Sequence, residues 1–125
     1  MLLRSAAPED ALAVAKVHVR SWQSAYRDLL PKGYLDQLRP EDRAKRYDLG
    51  ATDPGKPSTI VAEVDGAIVG FATVAPAQDR DVRGSGELCA LYVDPDWWGR
   101  HVGRALIEQA RARLLMLGFR DAVLW

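Results

Sequence analysis

The feature that most constrains this chain is a strand that runs into a helix through a very short turn. Residues 87–93 are rich in β-forming and apolar side chains and read as a strand. Asp94-Pro95 closes it, and Gly99 marks the turn. Beyond Arg100, Leu106, Ala110, Leu114 and Leu117 recur at the spacing of one helix face, which predicts a helix over 100–117. Gly118 suits the helix end, and Phe119 suits the apolar contact that often follows it. A further strand starts at 121 and runs to 125. A strand, a helix and a second strand in this order place the two strands parallel, with a right-handed crossover between them.

The rest of the chain fits around that unit. Residues 2–5 read as a short first strand. Pro8, Glu9 and Asp10 suit a helix start, although Ala7 before them is a poor cap. Leu12, Ala15, Val19 and Trp22 follow helical spacing, and Ala25, Tyr26 and Leu29 continue it until Pro31-Lys32-Gly33 breaks the run. A second helix starts at Pro40 and reaches about Leu49, and 53–57 is a loop. Residues 59–64 form a strand with Ile60, Ala62 and Val64 on one face. Asp65-Gly66 is a strong two-residue hairpin signal, and 67–75 is apolar on both faces, as a covered central strand is. Residues 78–86 are a polar loop. The sum is one mixed α/β domain over 1–125, mostly antiparallel, with helices flanking the sheet.

The turn at 94–103 carries a chemical implication. Backbone N–H groups at a helix start lack intrahelical acceptors, and the helix dipole makes that end positive, so it can hold an anion. Arg100 and Arg104 lie at this end, where a helix ordinarily prefers carboxylates. An anion there would account for both. Gly99 and Gly103 could alternatively serve only the turn and helix packing; the strand before, the helix after and the arginines favour the anion.

Composition excludes several other classes. Seventeen basic residues balance seventeen acidic ones, which argues against a general nucleic-acid binder. No apolar run reaches the roughly 20 residues of a membrane span, and Arg4 and Glu9 come too early for a secretory leader. The single cysteine, Cys89, leaves no internal disulfide and no cysteine-based zinc cage, and no metal site is expected. A cytoplasmic location is the expectation.

Arg100-His101-Val102-Gly103-Arg104-Ala105 resembles the Arg/Gln-x-x-Gly-x-Gly/Ala signature of the GCN5-related N-acetyltransferases (GNAT). Leu91-Tyr92-Val93-Asp94-Pro95 is similar to that family's fourth strand and its exit, and the resemblance covers the whole chain in family order. It implies acetyl-CoA as co-substrate and an amine of a small molecule or protein as acceptor. It implies pyrophosphate binding by the backbone of His101, Val102, Gly103, Arg104 and Ala105, with Arg100 adding charge. It also implies pairing of the pantetheine arm with Leu91, Tyr92 and Val93. His101 replaces the usual glycine, which a helical conformation would tolerate. Glu87 is the candidate general base, with a solvated strand-end carboxylate as the alternative.

Trp22 and Tyr26 are candidates for the acceptor pocket, with core packing as the alternative. His18 is expected in a hydrogen-bonded structural role, and Cys89 as a buried inert thiol. Trp97 and Trp98 either cover apolar surface or flank the cofactor. The resemblance also implies a domain shortened after the fifth strand, which leaves one sheet edge open. A catalytically impaired acyl-CoA-binding module, and an interaction domain or homodimer paired through that edge, are the alternatives to an enzyme.

Overall fold

The computed structural model describes residues 1–25, 39–41, 57–76, 85–119 and 122–124. The elements are β1 (Leu2–Ser5), α1 (Ala11–Ala25), β2 (Ser58–Val64), β3 (Ala67–Pro76), β4 (Gly86–Val93), α2 (Val102–Met116) and β5 (Ala122–Leu124). The expected continuation through Tyr26 and Leu29, the break at 31–33 and nearly all of the 78–86 and 53–57 loops lie outside the described residues. Pro40 and Glu41 are helical, and the rest of that expected helix lies outside as well.

The strands form one sheet in chain order, β1-β2-β3-β4-β5. The first four pair antiparallel, and β4 pairs parallel with β5. The β2–β3 hairpin turns at Asp65 and Gly66, whose φ angles of 51° and 82° are both left-handed. That turn matches the strand twist, and Asp-Gly is the pair that tolerates it.

Two bulges decide which side chains face which helix. The β2–β3 register shifts between Ala62 and Glu63, leaving Val69 as the extra residue. The β3–β4 register shifts between Thr73 and Val74, leaving Cys89 extra. An extra residue reverses the in–out alternation of its strand. Leu88 therefore packs on the α2 side, whereas Ala90 and Tyr92, at the same parity, pack on the α1 side.

The α2 side is aliphatic. Ile60, Ala62, Val69, Ala72 and Val74 of the sheet meet Val102, Leu106, Ala110 and Leu114 of α2. Gly86 permits a close approach here, since a Cβ on it would collide with the Leu114 side chain. The C-terminus of α2 is closed by Phe119 N–H to Leu114 carbonyl (3.0 Å) and Gly118 N–H to Leu115 carbonyl (3.1 Å). This is the Schellman arrangement, with Gly118 at φ 97° and Phe119 packed on the core.

The α1 side is smaller and more polar. Val14 and Val17 of α1 pack with Ala6, Val61 and Phe71. The poor cap at Ala7 is compensated from within the turn, because Asp10 accepts the Ala7 N–H at 2.7 Å. Arg4 donates to both oxygens of buried Asp10 (2.7 and 3.1 Å) and to Glu63 (3.1 Å). β1, the start of α1 and β2 are thereby tied together.

Candidate acetyl-transfer site

The register fixes where the β4 backbone points. Asp94 N–H donates to the Val69 carbonyl at 2.8 Å, which makes 69/94 a hydrogen-bonded pair. Alternation along an antiparallel ladder makes 71/92 hydrogen-bonded and leaves 70/93 and 72/91 as the non-bonded pairs. The N–H and C=O groups of Leu91 and Val93 therefore face away from β3, and those of Tyr92 face Phe71. On the outer side, β5 pairs only with Gly86, Glu87 and Leu88. Among the described residues, no strand lies along β4 beyond Leu88. Of the three expected β4 residues, Leu91 and Val93 offer edge groups, whereas Tyr92 contributes a side chain on the α1 side.

The outward Val93 carbonyl accepts two hydrogen bonds, from Ser21 Oγ (2.9 Å) and from Trp98 Nε1 (2.8 Å). Trp98 is half exposed and anchors the turn by that indole N–H. Trp97 packs against the aliphatic core and carries the Arg100 guanidinium 5.1 Å above its ring. Trp97 thus covers apolar surface, one of the two roles expected, and Trp98 hydrogen-bonds to the strand it follows.

The start of α2 differs from expectation. His101 is not helical: it lies at φ 65°, ψ 13°, and the helix opens at Val102. This left-handed conformation explains why a glycine is easily accommodated at such a position, and His adopts it at some cost. The Ala105 N–H donates to the His101 carbonyl at 3.1 Å, closing the first helical turn. Ala105 is therefore removed from the expected set of anion donors, and Val102, Gly103 and Arg104 are the helical amides that precede the first bond. A Cβ on Gly103 would meet only Val93 Cγ2, at an ordinary 3.7 Å. Neither backbone strain nor packing within the chain requires glycine there. Arg104 is exposed and lies 3.8 Å from Glu108, one turn further on.

Glu87 lies beside Leu88 and so points to the α1 side, the face shared by Ala90 and Tyr92. It is half-buried and accepts from Cys89 Sγ at 3.8 Å. Cys89 is exposed, not buried as the sequence suggested, because the bulge turns it out of the alternation. Desolvation of its sulfur and then the nearby Glu87 carboxylate push its thiol up to about 11. Such a thiol stays protonated at neutral pH and is a poor nucleophile.

Above Tyr92 lies an aromatic group. His18 is buried and stacks on the Tyr92 ring at 4.3 Å and 21°, with Phe71 6.1 Å and Trp22 5.9 Å from it. Trp22 Nε1 donates to the Tyr92 hydroxyl at 3.2 Å. His18 thus packs inside the fold, and Trp22 borders the same face of β4 as Glu87. Tyr26 lies outside the described residues. A separate cavity of about 710 Å³ lies between α1, the β2–β3 hairpin and the turn after β4. Its Arg4 and Arg20 are engaged by carboxylates of the same lining.

Sequence reasoning missed a clamp. Arg20 bridges Asp94 (3.0 Å) and Asp96 (3.1 Å) at the exit of β4. Only the Asp94-Pro95 turn signal was visible beforehand. Among the described residues, no group of three or more His, Cys, Asp or Glu could hold a metal, and no helix is long and apolar enough to cross a membrane.

Comparison with known proteins agrees with this geometry. The description "Acetyltransferase (GNAT) family" matches residues 19–125. The uncharacterized N-acetyltransferase YuaI of Bacillus subtilis is 32% identical over 126 residues, covering 98% of this chain and 69% of that protein. The PaiA N-acetyltransferase of Thermoplasma acidophilum, solved in complex with coenzyme A, superposes with a TM-score of 0.75 at 18% identity, covering 98% of this chain and 77% of that one. A GNAT family acetyltransferase of Brucella melitensis in complex with acetyl-CoA gives 0.70 at 22% identity, covering 98% and 73%. The strand edge, the turn and the match over most of the chain lead to one assignment: this chain belongs to the GNAT family of N-acetyltransferases.

Proposed function

We propose that the chain transfers the acetyl group of acetyl-CoA to an amine of a small molecule or protein, using the outer edge of β4 and the head of α2. The observation that carries this reading is the edge itself. Leu91 turns its N–H and carbonyl outward where β5 has already stopped, and Val93 adds its N–H, its carbonyl being held by Ser21 and Trp98. A ligand with amide groups, such as pantetheine, can pair there as a strand does. Its pyrophosphate then meets the amides of Val102, Gly103 and Arg104, with Arg100 steadied over Trp97 beside them. Gly103 leaves that approach open. The solved relatives that hold coenzyme A or acetyl-CoA support the same ligand.

The acceptor amine approaches from the α1 side, bordered by Trp22 and Tyr92. Glu87 on that face takes a proton from the amine, directly or through water, because only the neutral amine attacks. The amine nitrogen bonds to the thioester carbon, and an outward N–H of Leu91 or Val93 stabilises the oxyanion. The C–S bond then breaks and the CoA thiolate leaves, taking up the proton that the acylated nitrogen releases. Cys89 takes no part, so the acetyl group passes directly to the amine.

The test is calorimetric titration of the chain with acetyl-CoA, followed by thiol release with a panel of amines. Saturable binding and amine-dependent thiol release are expected. A folded chain that does not bind acetyl-CoA would overturn the proposal, and binding without turnover on any amine would reduce it to an acyl-CoA-binding module. Glu87→Gln should lower turnover at neutral pH by about 100-fold and leave acetyl-CoA affinity nearly unchanged. Unaltered turnover across the pH range would remove Glu87 from the mechanism.

A further inference from the structure

Helix α1 reaches across the end of the sheet and grips the turn that leads to the head of α2. Two consecutive residues make the contact. Arg20 sends Nη1 to Asp94 Oδ2 at 3.0 Å and Nη2 to Asp96 Oδ2 at 3.1 Å. Ser21 sends its hydroxyl to the Val93 carbonyl at 2.9 Å. Asp94 is buried, and its other oxygen accepts the Asp96 N–H at 3.0 Å, which shapes the short 3-10 turn Pro95–Trp97.

An isolated exposed ion pair contributes little. This arrangement differs because one rigid guanidinium fork spans two carboxylates of the same turn. Holding both at once fixes their separation and, with it, the turn's conformation. Asp94 serves the clamp and the turn together, so neither can shift alone. The turn leads directly into Gly99, Arg100 and His101 and then the opening amides of α2. A donor set held in place before the anion arrives binds it more tightly than one that must first be ordered.

We infer that Arg20 and Ser21 are positioning residues for the cofactor site, so that the helix bordering the acceptor side also sets the affinity for acetyl-CoA. The inference rests on the function proposed above. It predicts effects that simple charge attraction does not. Arg20→Lys keeps the charge but replaces the rigid planar fork with one flexible ammonium, which does not fix the separation of the two carboxylates. Asp96→Ala removes a negative charge near the pyrophosphate turn, which by attraction alone would tighten binding of an anionic ligand.

The experiment is acetyl-CoA titration and steady-state kinetics of wild type, Arg20→Lys and Asp96→Ala. Both variants should raise Kd and KM for acetyl-CoA by about fivefold, with turnover at saturating acetyl-CoA within about twofold of wild type. Binding by Arg20→Lys equal to wild type, or tighter binding by Asp96→Ala, would overturn the inference. Should Arg20→Lys not fold, Asp96→Ala decides alone, because that carboxylate is 75% exposed and its loss leaves the core intact. A wild-type chain that fails to bind acetyl-CoA would instead count against the proposed function.

Discussion

The two faces of this sheet are made of different materials. Under α2, nine buried aliphatic residues from β2, β3 and α2 pack together. Under α1, His18 stacks on Tyr92 with Phe71 and Trp22 in tilted contact, and Arg4, Asp10, Arg20 and Ser21 make directional hydrogen bonds. The first face depends on area removed from water, which is insensitive to direction. The second depends on donors and acceptors at set angles. The difference teaches that α2 serves as a scaffold along most of its length and touches the proposed chemistry only at its first turn, whereas α1 is engaged with the site by side chains.

The sharpest way to break this comparison is at the one place where α2 meets the site. Gly103→Glu sets a carboxylate beside the opening amides of α2. A Cβ there meets only Val93, at 3.7 Å, so the fold should survive while saturable acetyl-CoA binding is lost. Normal binding by the folded variant would mean that the anion site lies elsewhere.

Further along α2, Leu114 is buried about three helical turns from the opening amides, about 18 Å on the rise of an α-helix. Leu114→Ala should cost about 3 kcal/mol of stability, read by denaturant unfolding. Acetyl-CoA affinity should stay at the wild-type value at temperatures where the variant is folded. A large loss of affinity in the folded variant would show that the scaffold and the site are not separable.

On the other face, Asp10→Asn should cost about 2 kcal/mol, the scale of a charge-assisted hydrogen bond. The Arg4 guanidinium, and then the Ala7 N–H, hold the Asp10 carboxyl below the usual carboxylate range against the opposing effect of burial. A carboxyl depressed in the fold stabilises it fully above its unfolded pKa, and that contribution fades as pH falls through the lowered folded value. The gap between wild type and variant should therefore be full at neutral pH and close in strong acid. A gap independent of pH would assign the loss to packing.

The smallest effect is expected at Cys89. Its thiol, pushed up to about 11, should react slowly with iodoacetamide at neutral pH, with the rate rising as pH approaches that value. Cys89→Ala should leave turnover intact. Fast alkylation at pH 7 would contradict the environment described here.

Much of this was legible in the sequence because it rests on periodicity. Leu106, Ala110 and Leu114 marked the buried side of α2, Asp65-Gly66 marked the hairpin, and Gly118-Phe119 marked the end of α2. Local conformation was less legible. Nothing in the spacing shows that His101 turns left-handed, which moves the helix start to Val102 and spends the Ala105 amide on the first turn. The bulge that exposes Cys89 was equally hidden, since an uninterrupted alternation would bury every second residue of β4. The clamp was the least legible feature. Arg20 and Asp96 are 76 residues apart, and Ser21 and Val93 are 72, so only the folded sheet brings them together.

The occupied Val93 carbonyl has a consequence for size. A carbonyl oxygen has two lone pairs, and Ser21 and Trp98 take both. At the other end, the bulge at Cys89 interrupts the even spacing of the strand. The edge of β4 is therefore a ruler with a stop at each end, and three residues of strand separate the marks, which lie roughly 13 Å apart at the usual rise. In the function proposed above, the arm of acetyl-CoA along this edge would be measured for length before its chemistry is tested.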